Sequence, residues 1–171
     1  FYPTKPVGGI DGGMIVSDDY DKIAYYKEAV LNGMSYADNN WERKIKFPGW
    51  KMYLNSFQAT VVSENLKKLP AKMQRLQEVR EMYNEALGYN NTSSHLYRIV
   101  TKDNKEKMKE LKEKGIVTGI HYEASHLNPV YNNGHKFACP LSEAIATTTL
   151  SIPFNEALTN KEVNYIIDCV R

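Results

Sequence analysis

The sequence predicts an α/β layer fold over its carboxyl two-thirds, and three stretches carry that prediction. His95-Leu96-Tyr97-Arg98-Ile99-Val100 alternates polar and apolar residues, the pattern of a half-buried strand. Thr147 to Ile152 is rich in β-branched residues, which fit a pleated surface. Val163, Ile166, Ile167 and Val170 then recur at helical spacing behind Thr159-Asn160-Lys161-Glu162, a capping box. Strands interspersed with amphipathic helices bury their apolar sides by packing in layers.

Taken in order, Gly8-Gly9 and Gly12-Gly13 surround Ile10-Asp11 and lead into Met14-Ile15-Val16-Ser17, which reads as a turn feeding a strand. Asp18 and Asp19 stand where a helix cap belongs. A helix is expected from about Tyr20 to Asn32, with Ile23, Ala24 and Val30 inward and Gly33 near its end. Met34 to Gly49 shows no period and reads as a long loop. Asn55 caps a second helix whose apolar residues, from Phe57 to Leu69, leave no clean polar face, so much of it should be buried. Pro70 either starts a third helix or kinks one long one; Leu76, Val79, Tyr83 and Leu87 then share a face that ends at Gly88. Beyond the turn at Asn90 to Ser94 and the strand at His95, Lys105 to Lys114 forms a charged helix. Met108 and Leu111 point inward, Glu110 pairs with Lys114, and Gly115 is the stop. Ile116 to Ile120 is expected as a strand and Pro140 to Ala146 as a short helix before the Thr147 strand.

Composition narrows the function. The 171 residues suffice for one full core or two small ones. Twenty-two Lys and Arg interleave with 20 Asp and Glu, leaving no basic stripe for nucleic acid. No apolar run approaches the roughly 20 residues of a membrane-spanning helix, and the first residues lack a secretion-signal pattern. Cys139 and Cys169 are far apart and belong to no CxxC, so reduced thiols in a cytoplasmic protein are expected. His121 and His126, five apart, fit neither a helical pair nor a zinc-finger spacing, and no metal is expected.

Lys5 precedes the glycines, whereas a phosphate-binding P-loop places its lysine after them. On spacing alone, the segment is a glycine turn beside a surface lysine. The run Phe1-Tyr2-Pro3-Thr4-Lys5 followed by Gly-Gly-Ile-Asp-Gly-Gly-Met-Ile-Val-Ser nevertheless resembles the cofactor-lysine segment of the DegT/DnrJ/StrS family of sugar aminotransferases. Further blocks agree in order. Gly49-Trp50-Lys51-Met52-Tyr53 with Gln58-Ala59 resembles the family's aromatic segment, and Arg80, Tyr83, Asn84 and Leu87 the end of its linking helix. Gly115 to Tyr122, then His126-Leu127-Asn128-Pro129-Val130-Tyr131, is similar to its glycine-strand-His-Tyr and His-x-x-Pro-x-Tyr segment. Leu150 to Phe154 with Leu158-Thr159 resembles its closing strand and last helix.

The resemblance implies the carboxyl-terminal portion of a fold-type-I pyridoxal-phosphate transferase: residues 1–54 as a remnant of the large cofactor domain, residues 55–171 as linking helices and small α/β domain. It implies transfer of an amino group from a donor such as glutamate to a nucleotide-linked keto-sugar, for polysaccharide or antibiotic-sugar biosynthesis. Lys5 would carry the cofactor and shuttle a proton. Lys51 would meet the cofactor phosphate, typically across a homodimer, and His121, Tyr122 and His126 would face the sugar. Pro6, Met52-Tyr53 and Glu123 depart from the usual pattern and bear on the substrate. Because the family's segments ahead of the lysine lie outside this sequence, the chain alone is expected to be inactive and to self-associate. The competing expectation is a non-enzymatic binding or assembly module that keeps the small domain.

Overall fold

In the computed structural model, which describes residues 1–36, 42–132, 134 and 137–171, the chain divides into two units, Phe1–Leu69 and Pro70–Arg171. In the first, Asp19 caps α1 (Tyr20–Ala29) by accepting from the Lys22 amide at 3.0 Å. The helix ends three residues earlier than its pattern suggests, because Asn32 and Gly33 both take positive φ, 64° and 69°. Of the residues expected inward, Ile23 and Val30 are half-buried, whereas Ala24 is exposed and Ala29 takes the buried place.

The expected long loop instead holds two strands, β1 (Met34–Tyr36) and β2 (Arg43–Ile45), antiparallel with Met34 opposite Ile45. Each has three residues and β2 is exposed throughout, so neither displays the alternation that marks a strand. The centre of that loop, 37–41, lies outside the described residues. The expected strand at Met14–Val16 is absent: the segment has no ladder partner among the described residues, and the three side chains are exposed.

Asn55 and Gln58 exchange side-chain to backbone hydrogen bonds, 2.9 and 3.3 Å, and so cap α2 (Ser56–Leu87). This is one continuous helix through Pro70. The burial expected for its first half is not found. Val62 is buried, but Phe57 and Leu66 are exposed. Its second half behaves as read: Leu76, Val79 and Tyr83 are buried, Leu87 packs against the core, and Gly88 ends the helix at φ 71°.

The second unit is built on the antiparallel pair β3 (Tyr97–Val100) and β4 (Thr149–Ile152), in which Tyr97 faces Ile152 and Ile99 faces Leu150. Those four side chains form the centre of the core. Val79 and Tyr83 of α2, Leu111 of α3 (Asn104–Glu113), and Val163, Ile166 and Ile167 of α6 (Asn160–Val170) close over them. Tyr83 is wholly buried yet satisfied, its hydroxyl donating to the Pro153 carbonyl at 2.9 Å. The capping box of α6 is present, with Glu162 and Thr159 bonded reciprocally.

Two boundaries differ from the sequence reading. Ile116–Ile120 forms no strand; only Gly119 bridges Ser151, through paired backbone bonds of 3.0 and 2.8 Å. Helix α5 (Pro140–Thr148) runs two residues into the β-branched stretch. The hydroxyls of Thr147 and Thr148 donate back to the carbonyls of Glu143 and Ala144, which lets these residues end a helix rather than begin a strand. Before it lie a short 3-10 turn at Ser125–Leu127 and α4 (Pro129–Asn132), neither of which the pattern marked.

Candidate functional site

Lys5 sits exposed on a turn whose first bond runs from its own amide to the Tyr2 carbonyl at 3.0 Å. The glycines explain how that turn closes. A methyl group at Gly8 would lie 2.6 Å from the Pro3 carbonyl oxygen, and one at Gly9 2.7 Å from the Val62 side chain. The Asn65 side-chain amide donates to the Gly8 carbonyl at 2.5 Å. Lys5 is thus carried on a backbone that packs against α2. Asn65 was not marked by the sequence, since a lone Asn inside a helical run signals nothing by itself.

Lys51 is exposed, and its backbone forms an antiparallel bridge with Leu31 just after α1. Asn32, Trp50 and Met52 extend that contact through backbone bonds of 2.8 to 3.0 Å. Lys51 borders a cavity of about 800 Å³ that Lys27 of α1 and Arg43 of β2 also line. Its one acidic lining residue among those described, Glu28, is held by Lys46 at 2.5 Å. The described lining is therefore cationic in balance and suits an anion such as a phosphate.

In the second unit, His121 is half-buried, with Nδ1 2.9 Å from the Ser151 Oγ. The ring of Tyr122 meets it edge-on at 5.0 Å across a cis peptide bond, and Tyr122 is otherwise exposed. His121 lines a cavity of about 380 Å³ together with His95, Ser151 and Phe154. His126 lies elsewhere: its Nε2 is 2.9 Å from Glu143 of α5. That bond, aided by the Cys139 amide, holds the Glu143 carboxyl below its usual range. So the structure brings His121 and Tyr122 together and turns His126 toward α5. His95 and Ser151 escaped the sequence reading because each sits in a strand-like pattern that accounts for it without a role.

Cys139 and Cys169 are both unpaired and half-buried. No helix among the described residues is long and apolar enough to cross a membrane.

The sequence model of the DegT/DnrJ/EryC1/StrS aminotransferase family matches residues 1–171. The spore coat polysaccharide biosynthesis protein SpsC of Bacillus subtilis is 27% identical over 200 residues, which take in 100% of this chain and 51% of SpsC. Among solved structures, the aminotransferase TlmJ from Streptoalloteichus hindustanus superposes with a TM-score of 0.86 at 26% identity, over 97% of this chain and 48% of TlmJ. DesV of S. venezuelae gives 0.87 at 24% identity, over 100% of this chain and 49% of DesV, a likeness of fold. The chain spans about half the length of the curated relatives it matches.

Proposed function

Since the chain belongs to the DegT/DnrJ/EryC1/StrS aminotransferase family, we propose that it is part of a pyridoxal-phosphate enzyme that moves an amino group from an amino acid such as glutamate to a nucleotide-linked keto-sugar. The observation that carries this reading is the family match over residues 1–171 together with Lys5 on its glycine-closed turn. The name of SpsC, which places that relative in polysaccharide biosynthesis, supports the sugar.

Two lysines have the chemistry for the two ends of the cofactor, and Lys5 is not among the described residues that line the cavity beside Lys51. Lys5 would supply the primary amine for the aldehyde, and Lys51, with Lys27 and Arg43, would supply cations for the phosphate. When bound, pyridoxal phosphate supplies an aldehyde that takes up the amino group and a ring that draws electrons from the bond being broken. Lys5 would hold the cofactor and carry a proton at Nζ once released. Lys51 would act as a point charge, needing no bidentate geometry. His121 and Tyr122 would meet the sugar, and His126, which Glu143 holds toward α5, would contact it apart from that pair. Residues 1–54 belong in this reading to the cofactor domain and 55–171 to the linking helix and small domain. The working protein would be a cytoplasmic homodimer with shared sites, and the 171-residue chain by itself would not transaminate.

The test is to incubate the chain with pyridoxal phosphate, reduce with borohydride and map modified lysines by mass, with Lys5→Ala as control. Selective modification of Lys5 is expected. Labelling scattered over the lysines, unaffected by Lys5→Ala, would refute the role of Lys5, and amino transfer by the chain alone would refute its inactivity.

A further inference from the structure

We propose that Ser151 is a positioning residue that fixes His121 as a hydrogen-bond donor through Nε2, directed at an uncharged oxygen of the substrate. The proposal builds on the sugar-facing reading of His121 given above and names the group that makes it work.

Ser151 is the third residue of β4 and 4% exposed. Its backbone amide and carbonyl are both taken by Gly119, at 2.8 and 3.0 Å. Its hydroxyl lies 2.9 Å from His121 Nδ1 and has no other partner among the described residues. The imidazole reaches this position because residue 119 is glycine. A methyl group there would lie 2.8 Å from His121 Cε1. Backbone on one side and the Tyr122 ring on another hold the imidazole in place.

Two proton arrangements satisfy a 2.9 Å contact between a neutral imidazole and a hydroxyl, and burial chooses between them. If Nδ1 carried the proton, the Ser151 hydroxyl would accept, and its own hydrogen would be a buried donor without an acceptor. Leaving such a donor unpaired costs the full desolvation of the group. If Ser151 donates to Nδ1, both groups are satisfied. The imidazole proton then resides on Nε2, which has no protein partner among the described residues. The half-buried ring can present that N–H to a ligand.

The surroundings indicate what the donor meets. The cavity of about 380 Å³ is lined by Val117, Ile152, Pro153 and Phe154 beside the polar groups, and no Asp, Glu, Lys or Arg is among its described lining residues. That volume is near the lower end of the roughly 300–1,000 Å³ of ligand pockets. It suits one sugar ring, with the hydroxyl and carbonyl oxygens as acceptors.

Long-range proton-nitrogen correlation spectra of the 171-residue chain read the tautomer directly. For neutral His121 a single state protonated at Nε2 is expected. Ser151→Ala should give a mixed population, and Ser151→Thr, which keeps the hydroxyl, should restore the single state. An Nδ1-protonated ring in the unaltered chain, or a Ser151→Ala spectrum identical to it, overturns the proposal. The unaltered chain alone decides the first point if Ser151→Ala fails to fold. Addition of methyl glucoside as probe should shift the Nε2 nitrogen signal of His121, which is present in either tautomer. A correct tautomer without that shift refutes the sugar-facing reading, and the proposal with it, while an incorrect tautomer with the shift refutes the role of Ser151 and spares the reading.

Discussion

At Gly33 the chain leaves α1 and passes so close to the Phe47–Gly49 backbone that no side chain fits. A methyl group would lie 1.8 Å from the Phe47 carbonyl oxygen, and one at Gly49 would lie 2.1 Å from the Gly33 nitrogen. Gly33 also holds φ 69°, a left-handed conformation costing an L-residue roughly 1–2 kcal/mol. Both of its backbone groups are in use: its amide bonds to Glu28 at 2.9 Å and its carbonyl accepts from Lys46 at 2.8 Å. Gly33→Ala is therefore expected to destabilise the first unit by more than the conformational cost, about 2 kcal/mol or above, because backbone must move as well. Urea titration of the variant against the unaltered chain measures this, and a loss under about 0.5 kcal/mol, the range of neutral surface changes, would contradict the packing described. The sequence marks Gly33 as the end of a helix. It does not reveal Gly49 as its neighbour, since a close approach between residues 16 apart leaves no local pattern. The same limit hid Ser151: its value lies in what Gly119 and His121 bring to it from another segment.

Elements with local signals were legible, and those made by distant pairing were not. The capping box and spacing of α6 lie within one stretch of chain, and the structure reproduces both. The strands β1 and β2 exist only through one another, and the backbone at Ile116–Ile120 had to find β4, which it does at a single residue. Helix α3 is of the first kind, and its charges lead to a pH prediction. Glu110 lies between Lys114 at 2.7 Å and Lys107 at 2.9 Å. Hydrogen bonds from Lys114 first and Lys107 second hold its carboxyl down from the ordinary 4.5 to about 2. A folded-state value below the unfolded one stabilises the protein above the ordinary carboxyl pKa, and that contribution is lost as pH falls through 4.5 toward about 2. Glu110→Gln should thus lower the melting temperature at neutral pH, and the difference should close across that acid window. The group is solvent-exposed, so the effect should be small and shrink in high salt. A difference that stays constant through the window would show that Glu110 acts by something other than its charge.

On the scale of the whole molecule, the run Met14-Ile15-Val16 stands out because all three consecutive apolar side chains are exposed, at 70%, 61% and 79%. Consecutive residues of an extended chain point to opposite faces, so a solvated strand needs polar residues on one of them. An unbroken apolar run instead matches a strand covered on both faces, as in the interior of an α/β sheet. Here it has neither ladder partners nor cover among the described residues. Ile10 and Tyr20, exposed at 47% and 87%, add apolar surface within the same unit. The chain spans about half the length of its curated relatives. In isolation the available cover is a second copy of the chain, and burial at about 25 cal/mol per Å² of apolar surface favours that contact, with unpaired backbone groups adding hydrogen bonds. Light scattering is therefore expected to show a mass that rises with protein concentration. Met14→Lys combined with Val16→Lys should shift the chain toward monomer without lowering its thermal stability, since both side chains are exposed and neither belongs to the core. A monomer at every concentration would show that the segment is shielded within its own chain, and an unchanged mass in the double variant would move the contact to another surface.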